Sequence, residues 1–456
     1  MFLKNLFTAQ HIAILGAARS GLAAAKLLKS KGFRVIVSEL QKAQAKKPEV
    51  EFLQQLDIEH EFGGHTEKAL AAELIVASPG ISPNSDILAR AKAKNIPVLS
   101  EIEVAFRFCP GPVIAITGTN GKSTTTALVG EMFKKGRRKH VVAGNIGHPF
   151  SAAVQEMDAE TTAIVEVSSF QLEAIEKFCP HIAVLLNITP DHLDRHGCFE
   201  DYQRVKARIC ENQTESDVAV YNADNAPVCQ ALQQAAPKSR LFPFSTEQDL
   251  QTGCFSDRGA IKVRLDAPAQ VVAQEQEIAL PGRHNRANVL AAISAATLSG
   301  ISIKNIAQAF QGFRGLEHRL EFVRDAGGVK FINDSKATNY EALFHALHSF
   351  QQPLLLIAGG QDKGEDFSKL ERLIRKKVKK LILIGETANK IADGDQSGVP
   401  KTKASNLSQA VSQAFAAAKP GEIVLLSPGC ASFDMFENFE DRGRQFKALV
   451  HSLPDK

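Results

Sequence analysis

VIAITGTNGKSTTT, residues 113–126, decides how this chain is read. Four apolar residues (113–116) form a strand-like run that enters a glycine turn at Gly118. Gly121 closes the turn, and Lys122, Ser123 and Thr124 open a helix-like stretch containing Leu128 and Val129. A nucleoside triphosphate needs this order. Backbone N–H groups of the turn and helix start point at phosphate oxygens, the lysine reaches the β- and γ-phosphates, and the first hydroxyl can ligate Mg²⁺. The usual loop has a glycine five positions before Gly121, where this chain has Ile116; the loop is shortened to Gly118-Thr119-Asn120-Gly121-Lys122-Ser123-Thr124. An ordinary Gly/Thr turn before a helix accounts for less, because strand, turn, lysine, hydroxyls and helix all agree. The segment predicts ATP binding.

Strand-like and helix-like runs alternate on both sides of this loop. Upstream, a strand at 12–15 leads through GAARSG (16–21) into a helix over 22–28. A second strand at 33–37 ends at Ser38 and Glu39, and a third at 74–77 ends in Ser78-Pro79-Gly80. The GAARSG turn has Ala18 where a dinucleotide fingerprint has its second glycine, so it suits a diphosphate cradle better than nicotinamide chemistry. The stretch from PEV (48–50) to HEFGGH (60–65) reads as connecting loop. After the turn-rich CPGP (109–112) and the phosphate loop come strands at 163–167 and 182–188, then a segment at 230–262 that reads as loops and short strands, then a helix at 285–298. The last part shows strands at 330–332, 354–358, 381–384 and 423–426. Three of them run into NDSK (333–336), GGQDK (359–363) and SPGC (427–430). The predicted fold is α/β, with three consecutive domains: 1–108, 109–314 and 315–456. The outer two are Rossmann-like parallel sheets flanking a central P-loop ATPase-like domain, with ligands at strand C-termini.

The bulk composition excludes several classes. A net charge of +4 over 456 residues gives no electrostatic case for nucleic acid, and the basic clusters at 134–140 and 375–380 read as solvated surface. Seven scattered cysteines, with no C-x-x-C spacing, argue for a reducing, cytoplasmic setting and against structural zinc. No apolar run reaches the roughly 20 residues that a membrane helix requires. The start, MFLKNLFTAQHIAILGAARSG, reads as the approach to a first strand rather than a signal sequence.

Three further residues bear on chemistry. Glu166 lies at the end of a strand downstream of the phosphate loop, where a carboxylate is a usual second handle on Mg²⁺. On a helix read over 201–212, Tyr202, Val205 and Ile209 form an apolar stripe, and Lys206 lies only about 40° round the helix from Tyr202. Desolvation there lowers a lysine's pKa, and a neutral amine can take up CO₂ as a carbamate, an anionic ligand suited to Mg²⁺. Taken alone, Lys206 reads more readily as a lysine laying its stem along the stripe with its head in water. His192 alone reads equally as loop structure or as a ligand.

The shortened phosphate loop resembles that of the Mur ligases and their folylpolyglutamate synthetase relatives. EVSSFQLE (166–173), NITPDHLDRH (187–196) and DYQRVKARI (201–209) resemble consecutive segments of the Mur ligase central domain, and the likeness spans essentially the whole chain. The resemblance implies that Lys206 is carbamylated and that Ser123, Glu166, His192 and Lys206 hold two Mg²⁺ ions, with Lys122, His192 and Lys206 in the catalytic set. NDSKATN (333–339) and GGQDKGEDF (359–367) resemble the branch that adds D-glutamate to UDP-N-acetylmuramoyl-L-alanine. On that basis Lys336, Thr338, Lys363, Ser432 and Phe439 are expected at the amino acid. Asn145 is expected at the muramoyl substrate, Asn285 and Asn288 at adenine, Asp334 at ribose and Arg319 at the phosphates. Arg19, Ser20, Ser38 and Glu39 are assigned to uracil and diphosphate, although GAARSG and VSEL depart from the family pattern. The implied activity is ATP-dependent amide ligation in peptidoglycan precursor synthesis, by a cytoplasmic monomer acting on small molecules without nucleic acid or membrane insertion. Two rivals share the phosphate loop: another ligase such as a folylpolyglutamate synthetase, and a nucleotide-dependent binding or regulatory protein that ligates nothing.

Overall fold

The computed structural model describes residues 9–145, 147–266, 268–278, 280, 283–313, 315–362 and 367–454, without the side chains of Asp194, Arg283, His284, Gln311 and Glu341. Contacts divide the chain into two compact units: Met1–Ala279 with Arg283–Phe313, and Leu280–Gly282 with Arg314–Lys456. Among the described residues no helix is long and apolar enough to cross a membrane. All seven cysteines are free thiols.

The first unit holds two sheets. One has five parallel strands in the order Glu59–Phe62, Arg34–Glu39, His11–Leu15, Leu74–Ala77, Val98–Ser100. Its strand order reverses beside His11–Leu15, so the Gly16–Ser20 turn opens onto a crevice at a topological switch point. The sequence predicts connecting loop at 48–65. The structure instead has a helix, Lys47–Gln55, and the edge strand Glu59–Phe62. That strand has three half-buried residues and one exposed, which is why EHEF lacks an apolar signature.

The second sheet has nine strands, and an inner one, Val113–Thr117, is completely buried between Thr162–Glu166 and Ile182–Leu185. Burial on both faces explains its unbroken apolar run. Residues 230–262 are more regular than expected. Helix Ala226–Ala235 is followed by strands Arg240–Ser245, Gly253–Asp257, Ala260–Arg264 and Gln270–Gln274, the last three pairing antiparallel. The helix read over 201–212 is α-helical only over Phe199–Ala207, with a 3₁₀ turn at Arg208–Cys210.

Helix Glu101–Arg107 ties the end of the five-stranded portion to the nine-stranded one. Glu103 is fully buried; one carboxylate oxygen accepts from the N–H groups of Glu176, Lys177 and Phe178 at 2.8–2.9 Å, and the other pairs with Arg107. The second unit contains a six-stranded sheet in the order Glu321–Ala326, Val329–Asn333, Ile423–Leu426, Leu354–Ala358, Val378–Leu383, Lys401–Lys403. Only the first strand pairs antiparallel, so this sheet is mixed at one edge. The loops after Val329–Asn333, Leu354–Ala358 and Ile423–Leu426 emerge from neighbouring strands at the same end.

Removing one partner of a buried ion pair leaves the other charge uncompensated, at a cost of about 3–5 kcal/mol. Glu103→Ala should therefore lower the urea midpoint of the first unit's unfolding by a corresponding amount; an unchanged midpoint would remove this carboxylate from the unit's stability.

Candidate active site

The phosphate loop sits where Val113–Thr117 ends, and its glycines are required by geometry. Gly121 has φ 86°, and a Cβ there would lie 2.1 Å from Asn288 Oδ1. Gly118 has φ 158°, and a Cβ there would meet Leu186 Cβ at 2.9 Å. Asn187 holds the loop in shape: its carbonyl accepts from Thr119 N–H at 2.8 Å, Oδ1 accepts from Asn120 N–H at 2.9 Å, and Nδ2 donates to Asn120 O at 2.9 Å. Thr119 Oγ1 lies 3.2 Å from Tyr202 OH and accepts from Thr189 N–H at 3.0 Å. Ser123 and Thr124 are buried in the first turn of helix Lys122–Lys135. Asn288 is buried too, with Nδ2 donating to Asn285 Oδ1 at 3.2 Å.

Two amines converge on one carbonyl. Lys122 Nζ donates to Gly118 O at 2.8 Å and to Thr119 O at 2.8 Å, and Lys206 Nζ donates to Gly118 O at 2.9 Å. Lys206 is 1% exposed and its Nζ lies 4.7 Å from the centroid of the Tyr202 ring. Burial first, then the Lys122 charge, holds its amine well below the ordinary lysine range, against the pull of Asp191 and Glu166. The reading of a snorkelling lysine is thereby corrected: the head is inside, because helix Phe199–Ala207 packs this face against the phosphate loop.

Glu166 is 1% exposed. Its Oε1 accepts from Asn145 Nδ2 at 2.9 Å, whereas Oε2 is buried with no hydrogen-bond partner among the described residues. Strand register sets it there, opposite Ile116 at the loop entrance. An orphaned buried carboxylate oxygen suits a hard divalent cation. Among the described residues no three His, Cys, Asp or Glu side chains gather as a metal cluster. Any Mg²⁺ would thus take further oxygens from phosphate, water or a carbamate, as Mg²⁺ commonly does.

His192 has φ 51°, an uncommon conformation for a residue other than glycine, and its side chain is about half exposed, with Nε2 3.5 Å from Asp191 Oδ2. Its ring lies 4.8 Å from Phe170, which carries the Arg195 guanidinium at 4.1 Å. Arg195 is anchored by Glu173 (2.6 Å) and by Pro79 O (3.0 Å), in the turn after strand Leu74–Ala77. Asn187 and Arg195 lie within the quoted segments without a role in the sequence reading, and Tyr202 enters it only as part of an apolar stripe.

Around the first sheet, Arg19 is exposed and Ser20 half-buried at the start of helix Arg19–Ser30. Ser38 is fully buried and internally engaged, donating to Glu61 Oε1 at 2.6 Å, with His65 Nδ1 at 2.7 Å. Glu39 accepts from Ala17 N–H at 2.7 Å and so fixes the GAARSG turn.

In the second unit, Asp334 is buried, accepting from Ser427 Oγ at 2.7 Å and Leu320 N–H at 3.1 Å; burial pushes its carboxyl up to about 7, with Arg319 pulling the other way. Lys336 is half-buried with its ammonium 6.0 Å from the Phe439 ring centroid, and Thr338 is half-buried in the same loop. Ser432 is buried, its carbonyl accepting from Phe436 N–H at 2.9 Å. Lys363 lies outside the described residues.

Residues 11–87 match the MurD N-terminal domain, 116–296 the Mur ligase middle domain, and 318–430 the Mur ligase, glutamate ligase domain. The UDP-N-acetylmuramoylalanine–D-glutamate ligase of Thermoanaerobacter sp. (strain X514) is 46% identical over 97% of this chain and 98% of its own length. This chain belongs to the Mur ligase family, in the UDP-N-acetylmuramoylalanine–D-glutamate ligase branch. Its fold is the three-domain α/β fold of the Mur ligases. MurF from Acinetobacter baumannii superimposes with a TM-score of 0.60 at 16% identity, covering 96% of this chain and 93% of that one. MurF ligase from Thermotoga maritima, solved in complex with ADP, gives 0.55 at 16% identity, covering 84% and 91%.

Buried amines in this Mur ligase come at a cost to stability. Because the folded chain depresses the Lys206 pKa, the unfolded chain binds more protons between that lowered value and the ordinary 10.5, and stability rises with pH across this window. In bicarbonate-free buffer Lys206→Met should raise stability by about 1–3 kcal/mol at neutral pH. The gain should shrink as pH approaches the ordinary lysine value. Chemical denaturation across pH checks this, and a variant less stable than the parent at neutral pH would contradict it.

Proposed function

We propose that this chain joins D-glutamate to UDP-N-acetylmuramoyl-L-alanine with ATP as the driving nucleotide, in peptidoglycan precursor synthesis. Similarity over nearly the whole length, at 42–46% identity, to ligases of that name supports the substrates. One structural observation carries the chemistry: the Lys122 and Lys206 amines meet at Gly118 O, within electrostatic reach of Glu166, whose Oε2 is unpartnered among the described residues. That is a phosphate cradle next to a carboxylate and a lysine held towards its neutral form.

A carboxylate is a poor electrophile and must be activated first. The alanyl carboxylate attacks the γ-phosphorus, the bond to ADP breaks, and an acyl phosphate forms. The free amine of D-glutamate then attacks the acyl carbon, loses a proton, and expels inorganic phosphate. Lys122 stabilises charge on the transferring phosphoryl group, and the N–H groups of Gly121 to Thr124 orient the nucleotide. The Lys206 amine is suited to take up CO₂ as a carbamate because desolvation favours its unprotonated form. Two Mg²⁺ ions bound through Ser123, Glu166, His192 and carbamylated Lys206 would supply charge screening between two anionic reactants.

Asn285, Asn288, Arg319 and Asp334 are assigned to the nucleotide. Lys336, Thr338, Lys363, Ser432 and Phe439 are assigned to the amino acid, whose two carboxylates demand cations and hydroxyls once desolvated. Arg19, Ser20, Glu39 and Asn145 serve the UDP-sugar. Ser38 acts through Glu61 and His65 rather than by direct contact, given its burial. Residues 1–108, 109–314 and 315–456 divide these tasks.

Phosphate release should require Mg²⁺, UDP-N-acetylmuramoyl-L-alanine and D-glutamate together, and the product should be heavier by one glutamyl residue. Release with another amino acid would overturn the substrate; binding of ATP without release would leave a nucleotide-binding protein. Lys122→Ala should lose at least about 10²-fold in turnover, the scale of deleting one major electrostatic stabiliser. Near-parental turnover would take Lys122 out of the mechanism. With ¹³C-bicarbonate, the parent chain should show a carbamate carbon resonance that Lys206→Met lacks.

A further inference from the structure

Helix Phe439–His451 presents Phe446 and Val450 to the core of the second unit, and one turn earlier on the same face sits Arg442, 0% exposed. No carboxylate pairs with it among the described residues. Its Nε donates to Ser335 Oγ at 3.0 Å, one terminal nitrogen donates to Ser335 O at 2.9 Å and Cys430 O at 3.1 Å, and the other donates to Ala431 O at 3.3 Å. Ala431 O also accepts from Gln361 N–H at 3.0 Å, and a Cβ on Gly360 would come within 3.3 Å of the same guanidinium. Ser335 Oγ in turn donates to Phe439 O at 2.8 Å. One planar group thus hydrogen-bonds the loops that follow Val329–Asn333 and Ile423–Leu426, and shares the acceptor Ala431 O with the loop that follows Leu354–Ala358. Those loops carry Lys336 and Thr338, the GGQDK segment, and Ser432.

We infer that Arg442 is the positioning residue of the amino-acid site: its fork of N–H donors fixes two substrate loops directly, and the third through the shared acceptor Ala431 O, without touching the substrate. The inference rests on the D-glutamate reading above for the ligand's identity, not for the geometry. Arginine is needed because five donors in one plane reach acceptors on separate loops, whereas a lysine offers a single point. An ordinary structural arginine this deep is expected to face a carboxylate, which cancels its charge. Here all the acceptors are neutral, and burial lowers the guanidinium to about 10 against the opposing pull of Asp334 and Asp434. The retained charge also favours a doubly anionic amino acid at loops only a few bonds away.

The test is Arg442→Lys, which keeps the charge and loses the fork, with Ser335→Ala as a milder cut in the same network. In both variants KM for D-glutamate should rise, by about tenfold or more in Arg442→Lys, since ångström-scale misplacement of binding groups costs up to ~10²-fold. KM for ATP and for the UDP-sugar should stay within about twofold. In the ligand-free chain, exchange at the amides of Lys336, Gln361 and Gly429, each bonded between loops, should quicken while Leu356 stays protected. Parental exchange at those amides, or all three KM values rising together, would overturn the inference. If Arg442→Lys fails to fold, a parental KM for D-glutamate in Ser335→Ala would overturn it as well. A parent chain inactive with D-glutamate would sink the substrate reading instead, leaving the exchange experiment to judge Arg442.

Discussion

Lys122 and Lys206 share a carbonyl acceptor, Gly118 O, in a place where Lys206 has no access to water. Two ammonium groups at that separation, one wholly desolvated, repel strongly, and the cheaper arrangement removes a proton from the buried one. The surrounding structure sustains this arrangement. The glycine at 118 lets Leu186 and Asn187 close on the loop, Asn187 braces its backbone, and Tyr202 lies against both Thr119 and the Lys206 ammonium. A triphosphate cradle and a reactive amine are therefore consequences of one packing decision: helix Phe199–Ala207 sets its lysine face on the phosphate loop.

The same packing explains which parts of the site were legible. Gly118, Gly121, Lys122 and Ser123 could be read because their spacing is dictated by the backbone geometry of a phosphate cradle. Glu166 could be read because a strand buried on both faces leaves a carboxylate at its end few alternatives. The helical phase of Lys206 was also visible, but its depth was not; that depends on Gly118 lying directly opposite, a contact 88 residues away in the chain.

Other features were hidden for different reasons. The edge strand Glu59–Phe62 needs no apolar face, so EHEF looked like loop. Strands Gly253–Asp257 and Ala260–Arg264 join through Arg258 and Gly259, with φ 50° and 80°. Positive φ at both turn residues is the tight-hairpin geometry, and the DRG triplet was an available sign of it. Arg442 was missed because a single charge on an apolar helical stripe is ordinarily dismissed as a stem with its head in solvent. Nothing local announces that carbonyls from two other loops converge on it.

Buried charge follows two regimes in this chain. Where the task is architectural, opposite charges cancel: Glu103 pairs with Arg107 and takes three backbone N–H groups besides. Beside the loops at the strand ends, Lys206, Asp334 and Arg442 are buried with neutral hydrogen-bond partners only: a carbonyl, a hydroxyl with one N–H, and three carbonyls with a hydroxyl. Glu101 breaks the pattern, being buried on Ser151 N–H away from the loops, and burial raises its pKa accordingly. Leaving a charge uncancelled costs stability, so its recurrence at loops after parallel strands needs a compensating benefit. A charge already stripped of water and held by fixed dipoles acts on an incoming phosphate or carboxylate without first reorganising its own surroundings. The desolvation cost is then met during folding and not during binding, which is what preorganisation means at Arg442; at Lys206 and Asp334 the same burial instead favours the uncharged form.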